Sequence, residues 1–360
     1  MTAGVAVVDL GAIATNVKIT QSQTGAAVMA VVKADAFGHG LVPVARAALL
    51  AGARWLGVAS PAEALVLRAA GVDAPILCWL YPPAADLRAA VAADVQLSVA
   101  TPTHLDAVVR AAAATGRVAG IQLKVDTGLS RGGATPEGWP ELVDAARRAE
   151  LAGHVTVHSV WSHLADADAV EGRFVPVQIK RFATARALAE RAGLRPEILH
   201  LANSAGALFR PETHFDVVRL GIGLYGVEPM PDRSIGLRPA MTLRSPVAQT
   251  KVVPAGTGVS YQHDYTTSSR TRLALVPVGY ADGIPRSAAG RAHVLAGAQR
   301  RPVAGRVAMD QFVVDLGPDA PAVDEVVIFG PGDHGEPTVT EWAAWAGTIP
   351  HEVLTGIGNR

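Results

Sequence analysis

The chain has 360 residues, of which 49% are hydrophobic and 18% are charged, so it is long and apolar enough to bury a sizeable core. Lys plus Arg equals Asp plus Glu at 32 each, which argues against nucleic acid or a membrane surface as a partner. The single cysteine, Cys78, excludes an intrachain disulfide framework and fits a reducing cytosol. Asp9 interrupts the N-terminal apolar stretch, and no apolar run approaches membrane-spanning length. We therefore expect a cytoplasmic protein without a signal peptide.

Between residue 28 and about residue 226, short apolar runs alternate with longer Ala-, Leu- and Arg-rich helical stretches. The strand candidates are VMAVVK (28–33), WLGVAS (55–60), PILCWL (75–80), VQLSVA (95–100), GIQLKVD (120–126), VTVHSVWSH (155–163), EILHLA (197–202) and DVVRLGIG (216–223). Helical crossovers between apolar strands imply parallel pairing. Eight such units favour an α/β fold with a closed (β/α)8 TIM-type barrel over an open doubly wound sheet.

The pattern changes after about residue 230, where short strand candidates are broken by Gly, Pro and Asp. This pattern predicts a separate, mainly antiparallel β-domain. We place the barrel at residues 1–230 and the β-domain at residues 231–360, with PMPDRSIGLRPA (229–240) as the candidate linker.

Polar or ionisable side chains follow several of the predicted barrel strands. The five candidate positions are Lys33, Arg131, His163, the pair Asn203 and Ser204, and Arg219. Active sites of such barrels are built at the C-terminal ends of the strands, so these groups should converge on one mouth. Burial would lower the pKa of a lysine placed there and leave a reactive amine. The three cations suit an anionic ligand that carries phosphate or carboxylate.

Two further motifs invite functional readings that their surroundings do not support. GIGLYG (221–226) matches a dinucleotide-binding pattern, but the VEPMPDRS that follows cannot open a helix. Its glycine-rich backbone can still present N–H groups to a phosphate. SHLADAD (162–168) contains metal-ligating residue types without a second matching cluster, so we expect no metal site.

AVVKADAFGHG resembles the pyridoxal-phosphate (PLP) lysine motif of alanine racemases. The similarity continues, in the order of that family, through LKVDTGLSRGG, WSHLADAD, LHLANSAGAL, VRLGIGLYG, GVSYQHDYTT, VGYADGIPR and GRVAMDQF. The resemblance implies a PLP-binding barrel followed by a β-domain, in agreement with the architecture predicted above. It also implies a homodimer with shared active sites that interconverts L- and D-alanine. The resemblance does not distinguish D-alanine made as a peptidoglycan precursor from D-alanine made for a specialised pathway.

The resemblance implies a role for each matching residue. Lys33 would hold PLP covalently and act as the base on one face of the substrate Cα, with Tyr261 of the partner subunit as the base on the other face. Arg219 would face the pyridine nitrogen of PLP and His163 would bond to Arg219. Ser204 and the backbone of Gly221 and Ile222 would bind the phosphate.

The remaining carried-over positions concern the substrate. Arg131 would orient the phenolic oxygen of PLP and the substrate carboxylate, and Lys124 matches a lysine that is carbamylated in some family members. Met309 and Asp310 would approach the substrate from the partner chain, and Tyr280 would line the entrance.

The chain departs from the family pattern at two positions. Phe37 stands where relatives usually have a tyrosine whose hydroxyl reaches the phosphate, and His351, in IPHEV, replaces a second tyrosine. We therefore expect phosphate binding to be altered, with His351 as a further cofactor-binding candidate.

Three alternatives to alanine racemisation are open. A racemase of another small amino acid would share all of these motifs. A related fold-type III PLP decarboxylase is expected to place an acid opposite the pyridine nitrogen, and Arg219 speaks against it. A non-catalytic PLP carrier with the same barrel would lack the β-domain, so the region past residue 240, which includes Tyr261, counts against that reading.

Overall fold

The computed structural model describes residues 4–230, 232–318 and 320–358. Contacts between backbone positions divide these residues into two compact units. The barrel unit comprises Ile13–Ala36 and Gly40–Leu237, and the β-unit comprises the described parts of Met1–Ala12, Phe37–His39 and Arg238–Arg360.

Strands and helices alternate through most of the barrel unit, whereas strands predominate in the β-unit. In chain order, the strands are β1 (Val5–Val8), β2 (Ala27–Val31), β3 (Trp55–Val58), β4 (Ile76–Cys78), β5 (Gln96–Val99), β6 (Ala119–Lys124), β7 (Val155–Trp161), β8 (Ile198–His200), β9 (Val217–Leu220), β10 (Met241–Pro246), β11 (Gln249–Val253), β12 (Gly258–Val259), β13 (Tyr265–Thr266), β14 (Thr271–Val276), β15 (His293–Ala296), β16 (Gln299–Pro302), β17 (Phe312–Gly317) and β18 (Glu325–Phe329). The helices are α1 (Leu10–Gln23), α2 (Lys33–Gly38), α3 (Leu41–Leu50), α4 (Pro61–Ala69), α5 (Arg88–Ala92), α6 (Pro102–Thr115), α7 (Trp139–Leu151), α8 (Val175–Arg191), α9 (Ser204–Phe209), α10 (Val339–Ala346) and α11 (Pro350–Gly356). Short 3-10 helices lie at Pro211–Thr213, Ile222–Tyr225, Tyr261–His263, Tyr280–Asp282 and Arg286–Ala288.

Strands β2 to β9 form one parallel sheet in the order β8-β7-β6-β5-β4-β3-β2-β9. The two ends of this order are joined by backbone hydrogen bonds, from Asp216 N–H to Leu199 O and from Arg219 N–H to Ala202 O, each 3.1 Å. The sheet therefore closes into the predicted barrel, and each of the eight strand candidates overlaps one of its strands.

The barrel strands are apolar because helices cover their outer faces while side chains fill the interior. A buried cluster of Met29, Leu77, Trp161 and Val217 joins four of the strands. Side chains cap some of the helices: Ser60 and Glu63 form a reciprocal capping box at the start of α4.

The first turn after β2 departs from ordinary backbone geometry. Strand β2 ends at Val31, and Ala34 to Phe37 then have φ between 50° and 55°, so α2 is one turn of left-handed helix. L-residues in this conformation cost about 1–2 kcal/mol each. Two backbone bonds support the turn, Ala36 N–H to Val32 O (2.8 Å) and Gly40 N–H to Asp35 O (3.0 Å). The sequence predicted a strand through Lys33, whereas Lys33 begins this strained turn.

The β-unit is built from antiparallel sheets. Strands β1, β10, β18, β15 and β16 form a five-stranded sheet, β11, β14 and β17 a three-stranded one, and β12 and β13 a two-stranded one. Every pairing between strands of this unit is antiparallel, which confirms the predicted architecture. The sequence indicated no strand near the N-terminus, yet β1 pairs with β10, with Val5 opposite Arg244.

In the part of the chain that the structure describes, no helix combines the length and the apolar composition needed to cross a membrane.

Two glycines with nearly the same φ allow the packing around the left-handed turn to be tested. Gly38 has φ +78° and Gly71 has φ +77°. A Cβ on Gly38 would lie 2.7 Å from Leu354 O, whereas a Cβ on Gly71 would meet nothing within 4 Å. We expect Gly71→Ala to lower the free energy of unfolding by about 1–2 kcal/mol from backbone strain. Gly38→Ala should cost about 1–3 kcal/mol more because of the clash. Urea unfolding of both variants measures this difference, and equal losses would contradict the close approach.

Candidate active site

Lys33 lies two residues after the end of β2, at the start of the left-handed turn. Burial lowers the pKa of its amine, the charge of Arg131 lowers it further, and the carboxylate of Glu63 acts in the opposite direction. The amine lies 6.0 Å from the centre of the Trp79 ring. A larger share of neutral amine is what a lysine needs in order to act as a nucleophile or a base.

Arg219, on β9, is buried, and the two terminal nitrogens of its guanidinium make four hydrogen-bond contacts. Its guanidinium donates to the Nδ1 atoms of His200 (2.8 Å) and His163 (3.1 Å) and to the carbonyl oxygens of Ser162 (2.8 Å) and Leu201 (3.0 Å). Burial lowers the pKa of Arg219 to about 9, so it remains a cation at neutral pH. Because a guanidinium can only donate, both imidazoles accept through Nδ1.

The two histidines beside Arg219 are therefore held neutral. Burial and then the charge of Arg219 lower the pKa of both His163 and His200 well below the usual range. His200 carries its proton on Nε2, which lies 2.8 Å from Gln122 Oε1, and Gln122 donates in turn to Gln96 Oε1 at 2.7 Å. A directed chain of hydrogen bonds thus runs from Arg219 across the barrel interior.

The indole of Trp161, on β7, forms a platform for this cluster. The Lys124 amine lies 4.5 Å and the Arg219 guanidinium carbon 5.0 Å from the indole centre, and the His200 ring stacks on it at 5.3 Å. Such contacts favour cations over an aromatic face. Burial, followed by the charges of Arg219 and Arg131, lowers the pKa of Lys124 to about 8. The expected carbamylation of Lys124, which needs a neutral amine, stays a prediction.

Arg131 lies on the exposed loop that follows β6. Asp126 shapes this loop by accepting hydrogen bonds from the backbone of Gly128 (2.8 Å) and Ser130 (3.1 Å). The charge of Arg131 contributes to lowering the pKa of three groups of the site, Lys33, Lys124 and His163.

Ser204 lies at the first turn of α9, next to the turn that follows β9. Its hydroxyl oxygen accepts hydrogen bonds from the backbone N–H groups of Gly221 (2.9 Å) and Gly223 (3.2 Å). Ile222 begins a 3-10 helix, so its N–H has no acceptor within that helix. A Cβ on Gly221 would meet Ser204 Oγ at 3.8 Å and nothing nearer, which leaves room beside these groups.

The other predicted residues belong to the β-unit. Tyr261, Tyr280 and Met309 are exposed by 65%, 43% and 51%, and Asp310 is exposed as well. Tyr261 is flanked by Ser260 and Gln262, which both have positive φ. Ser260 Oγ donates to Arg306 O (2.8 Å) and the Arg306 side chain bonds to Gln262, so the loop that carries Tyr261 is braced on both sides.

Phe37 and His351, the two positions that the resemblance marks as departures, contact one another in the β-unit. Their ring centres are 5.8 Å apart and the ring planes are tilted by 48°. Phe37 is buried and His351 is exposed.

Comparison with known proteins agrees with this arrangement. Residues 8–229 match the N-terminal domain of alanine racemase, and residues 240–360 match its C-terminal domain. The chain belongs to the alanine racemase family. It is 54% identical to the alanine racemase of Frankia casuarinae, over 99% of this chain and 94% of that protein. It is 55% identical to that of Beutenbergia cavernae, over 99% and 96%. The structure of alanine racemase from D-cycloserine-producing Streptomyces lavendulae matches it with a TM-score of 0.98 and 52% identity, covering 100% of this chain and 96% of that one.

For this member of the alanine racemase family, sequence reasoning identified the groups at the strand ends but missed the interior chain. The residues it missed are His200, Gln122 and Gln96, which lie within the apolar runs EILHLA, GIQLKVD and VQLSVA. A polar side chain inside a strand that is otherwise buried is the signal that could have found them, because such groups need buried partners. Within residues 4–230, 232–318 and 320–358, no group of three or more His, Cys, Asp or Glu side chains could hold a metal ion.

Proposed function

We propose that the protein is a PLP-dependent alanine racemase that works as a cytoplasmic homodimer and uses Lys33 and the partner subunit's Tyr261 as its two bases. The observation that carries this proposal is the cluster of cations and neutral imidazoles around Lys33, Lys124 and Arg219. These residues lie in the motifs by which the chain resembles the alanine racemase family, to which it belongs.

The groups at the barrel mouth suit PLP in their chemistry. The lowered pKa of Lys33 supports an amine able to bond to the aldehyde carbon. Ser204 and the backbone of Gly221 and Ile222 offer hydrogen-bonding groups for a phosphate, with open space beside Gly221. The mutual repulsion of Lys33, Lys124 and the two arginines favours a ligand with negative charge.

When bound, PLP supplies an electron-withdrawing system that acidifies the Cα–H bond of an attached amino acid. Racemisation then needs a proton removed from one face of Cα and delivered to the other. Lys33 is proposed as the proton acceptor and donor on one face, and the partner's Tyr261 on the opposite face. Since a free tyrosine has a pKa of about 10, its phenolate needs nearby positive charge.

Arg219 is proposed to face the pyridine nitrogen. A permanent donor at this position disfavours protonation of that nitrogen, which limits side reactions such as transamination. The interior hydrogen-bond chain supports this role because it leaves Arg219 in one orientation and keeps His200 from competing for a proton. An arginine at this position also counts against the decarboxylase alternative.

The function is tested by incubating the purified protein and PLP with single L-amino acids and separating the products on a chiral column. We expect D-alanine to accumulate until both enantiomers are equal, with visible absorption of the bound cofactor. Lys33→Ala should abolish the absorption and the activity together, whereas Lys18→Ala, at an exposed helical lysine, should keep both. Turnover of another amino acid but not alanine would show a different racemase, and release of carbon dioxide would show a decarboxylase.

Tyr261→Phe should leave cofactor absorption nearly intact and reduce racemisation in both directions, because loss of a positioned base typically costs about 10²–10⁴-fold. Tyr265→Phe is the matched control, since it removes a nearby hydroxyl that bonds to Asp315 (2.7 Å). It should affect stability more than activity.

Shared sites give the same variants a second test. Mixing Lys33→Ala with Tyr261→Phe protein should restore part of the activity through heterodimers with one intact site. No recovery after verified subunit exchange would argue against a shared site.

The Phe37 and His351 pair should control cofactor affinity, because the resemblance assigns both positions to phosphate binding. A hydrogen bond to a charged group is worth about 1.5–3 kcal/mol, so Phe37→Tyr should tighten PLP binding. His351→Ala should weaken it more at low pH, since histidine ordinarily becomes cationic below about pH 6.5. Titration of the cofactor-free chain with PLP measures both effects. An unchanged dissociation constant in both variants would show that neither position touches the phosphate.

A further inference from the structure

We propose that Glu63 is a positioning residue for Lys33, whose carboxylate joins the start of the left-handed turn to the start of helix α4. The proposal rests on the proposed function in taking Lys33 as the reacting amine. It adds a residue that neither the motifs nor the resemblance singled out.

The two oxygens of the Glu63 carboxylate contact two different turns. Oε2 accepts hydrogen bonds from the backbone N–H groups of Ala59 and Ser60, each 2.9 Å, at the end of β3. Oε1 accepts a hydrogen bond of 2.6 Å from the backbone N–H of Ala34, 29 residues earlier in the chain. One side chain thus connects the turns that follow two adjacent barrel strands.

The bond to Ala34 goes beyond what a helix cap requires. A capping box uses the glutamate to satisfy the N–H of the N-cap residue, which Oε2 already does at Ser60. In the capping box of α10, the second oxygen of Glu341 bonds to the side chain of Arg300 instead. The second oxygen is therefore available for another contact, and in Glu63 it holds the peptide N–H of the residue next to Lys33.

Ala34 is also the first residue with positive φ in this turn. Backbone in this conformation persists only where its surroundings hold it. The Glu63 bond fixes the N-terminal end of the turn, while Asp35 fixes the other end by accepting from Leu41 N–H at 2.7 Å. The peptide group that joins Lys33 to Ala34 is therefore held in place by Glu63.

The charge of Glu63 reaches the groups around it. Burial and Arg131 favour the neutral Lys33 amine, and Glu63 favours the ammonium. The same carboxylate raises the pKa of Cys78 and Tyr225, after burial as the main cause. Tyr225 donates from its hydroxyl to Val31 O (2.9 Å), at the end of β2. Loss of the Glu63 charge should therefore lower the pKa of Lys33 as well as release its backbone.

Two variants separate this role from helix capping. Glu63→Gln removes the charge and places either an amide donor or a weaker acceptor at Ala34, whereas Ser60→Ala removes the other half of the capping box and leaves the Ala34 contact in place. Competitive acetylation of the full-length, cofactor-free chain across a pH series, read by mass spectrometry, gives the pKa of individual lysines. Lys124 is the internal reference, because Glu63 is not among the causes of its lowered pKa.

We expect Glu63→Gln to lower the pKa of Lys33 and to weaken PLP binding by roughly tenfold, and Ser60→Ala to change neither. Three results would overturn the proposal: an unchanged Lys33 pKa in Glu63→Gln, an equal shift in Ser60→Ala, or a parallel shift of Lys124 that reveals general loosening. Failure of the unaltered chain to bind PLP or racemise alanine would instead refute the proposed function and leave the labelling result intact.

Hydrogen exchange covers the case in which Glu63→Gln does not fold. In the unaltered protein and in Ser60→Ala, the Ala34 amide should be protected from exchange because it donates to Glu63. Rapid exchange of Ala34 in the folded, unaltered protein would refute the contact on which the proposal stands.

Discussion

A guanidinium buried inside a barrel costs free energy unless its donors all find acceptors, and this constraint organises the site around Arg219. Two carbonyl oxygens and two imidazoles accept hydrogen bonds from the two terminal nitrogens of Arg219. The imidazoles can accept only while neutral, so the buried cation fixes the protonation of both histidines. The Nε2 proton of His200 then needs a buried acceptor, which Gln122 provides. The amide of Gln122 in turn donates to Gln96.

The second consequence of this buried charge is repulsion. Lys124, Lys33 and Arg131 share the region with Arg219, and each lysine has its pKa lowered by at least one arginine. The Trp161 face offsets part of this cost, but an aromatic ring does not neutralise a cation. A ligand that carries negative charge would relieve this repulsion, so the repulsion would add to the affinity of the site for such a ligand.

The repeating strand pattern of the sequence predicted which polar groups lie at the strand ends. It predicted neither the left-handed turn nor the pairing of β1 with β10. Parallel strands end at one mouth, so Lys33, His163 and Arg219 could be placed together from the strand pattern alone. The left-handed turn could not be predicted, because Ala34 to Phe37 contain no glycine and their own preferences oppose positive φ. The pairing of β1 with β10 joins segments more than 200 residues apart, and no local pattern reports it.

Phe37 and His351, which the sequence resemblance marks as departures from the family pattern, meet at the end of the left-handed turn. Phe37 is the last of the four residues with φ near +50°, so the strained backbone sets the direction of its Cα–Cβ bond. The ring meets the imidazole of His351, and a change at either position alters the packing of the other. A tyrosine at position 37 would add a hydroxyl to this ring contact. The ring contact therefore couples position 351 to the last residue of the left-handed turn.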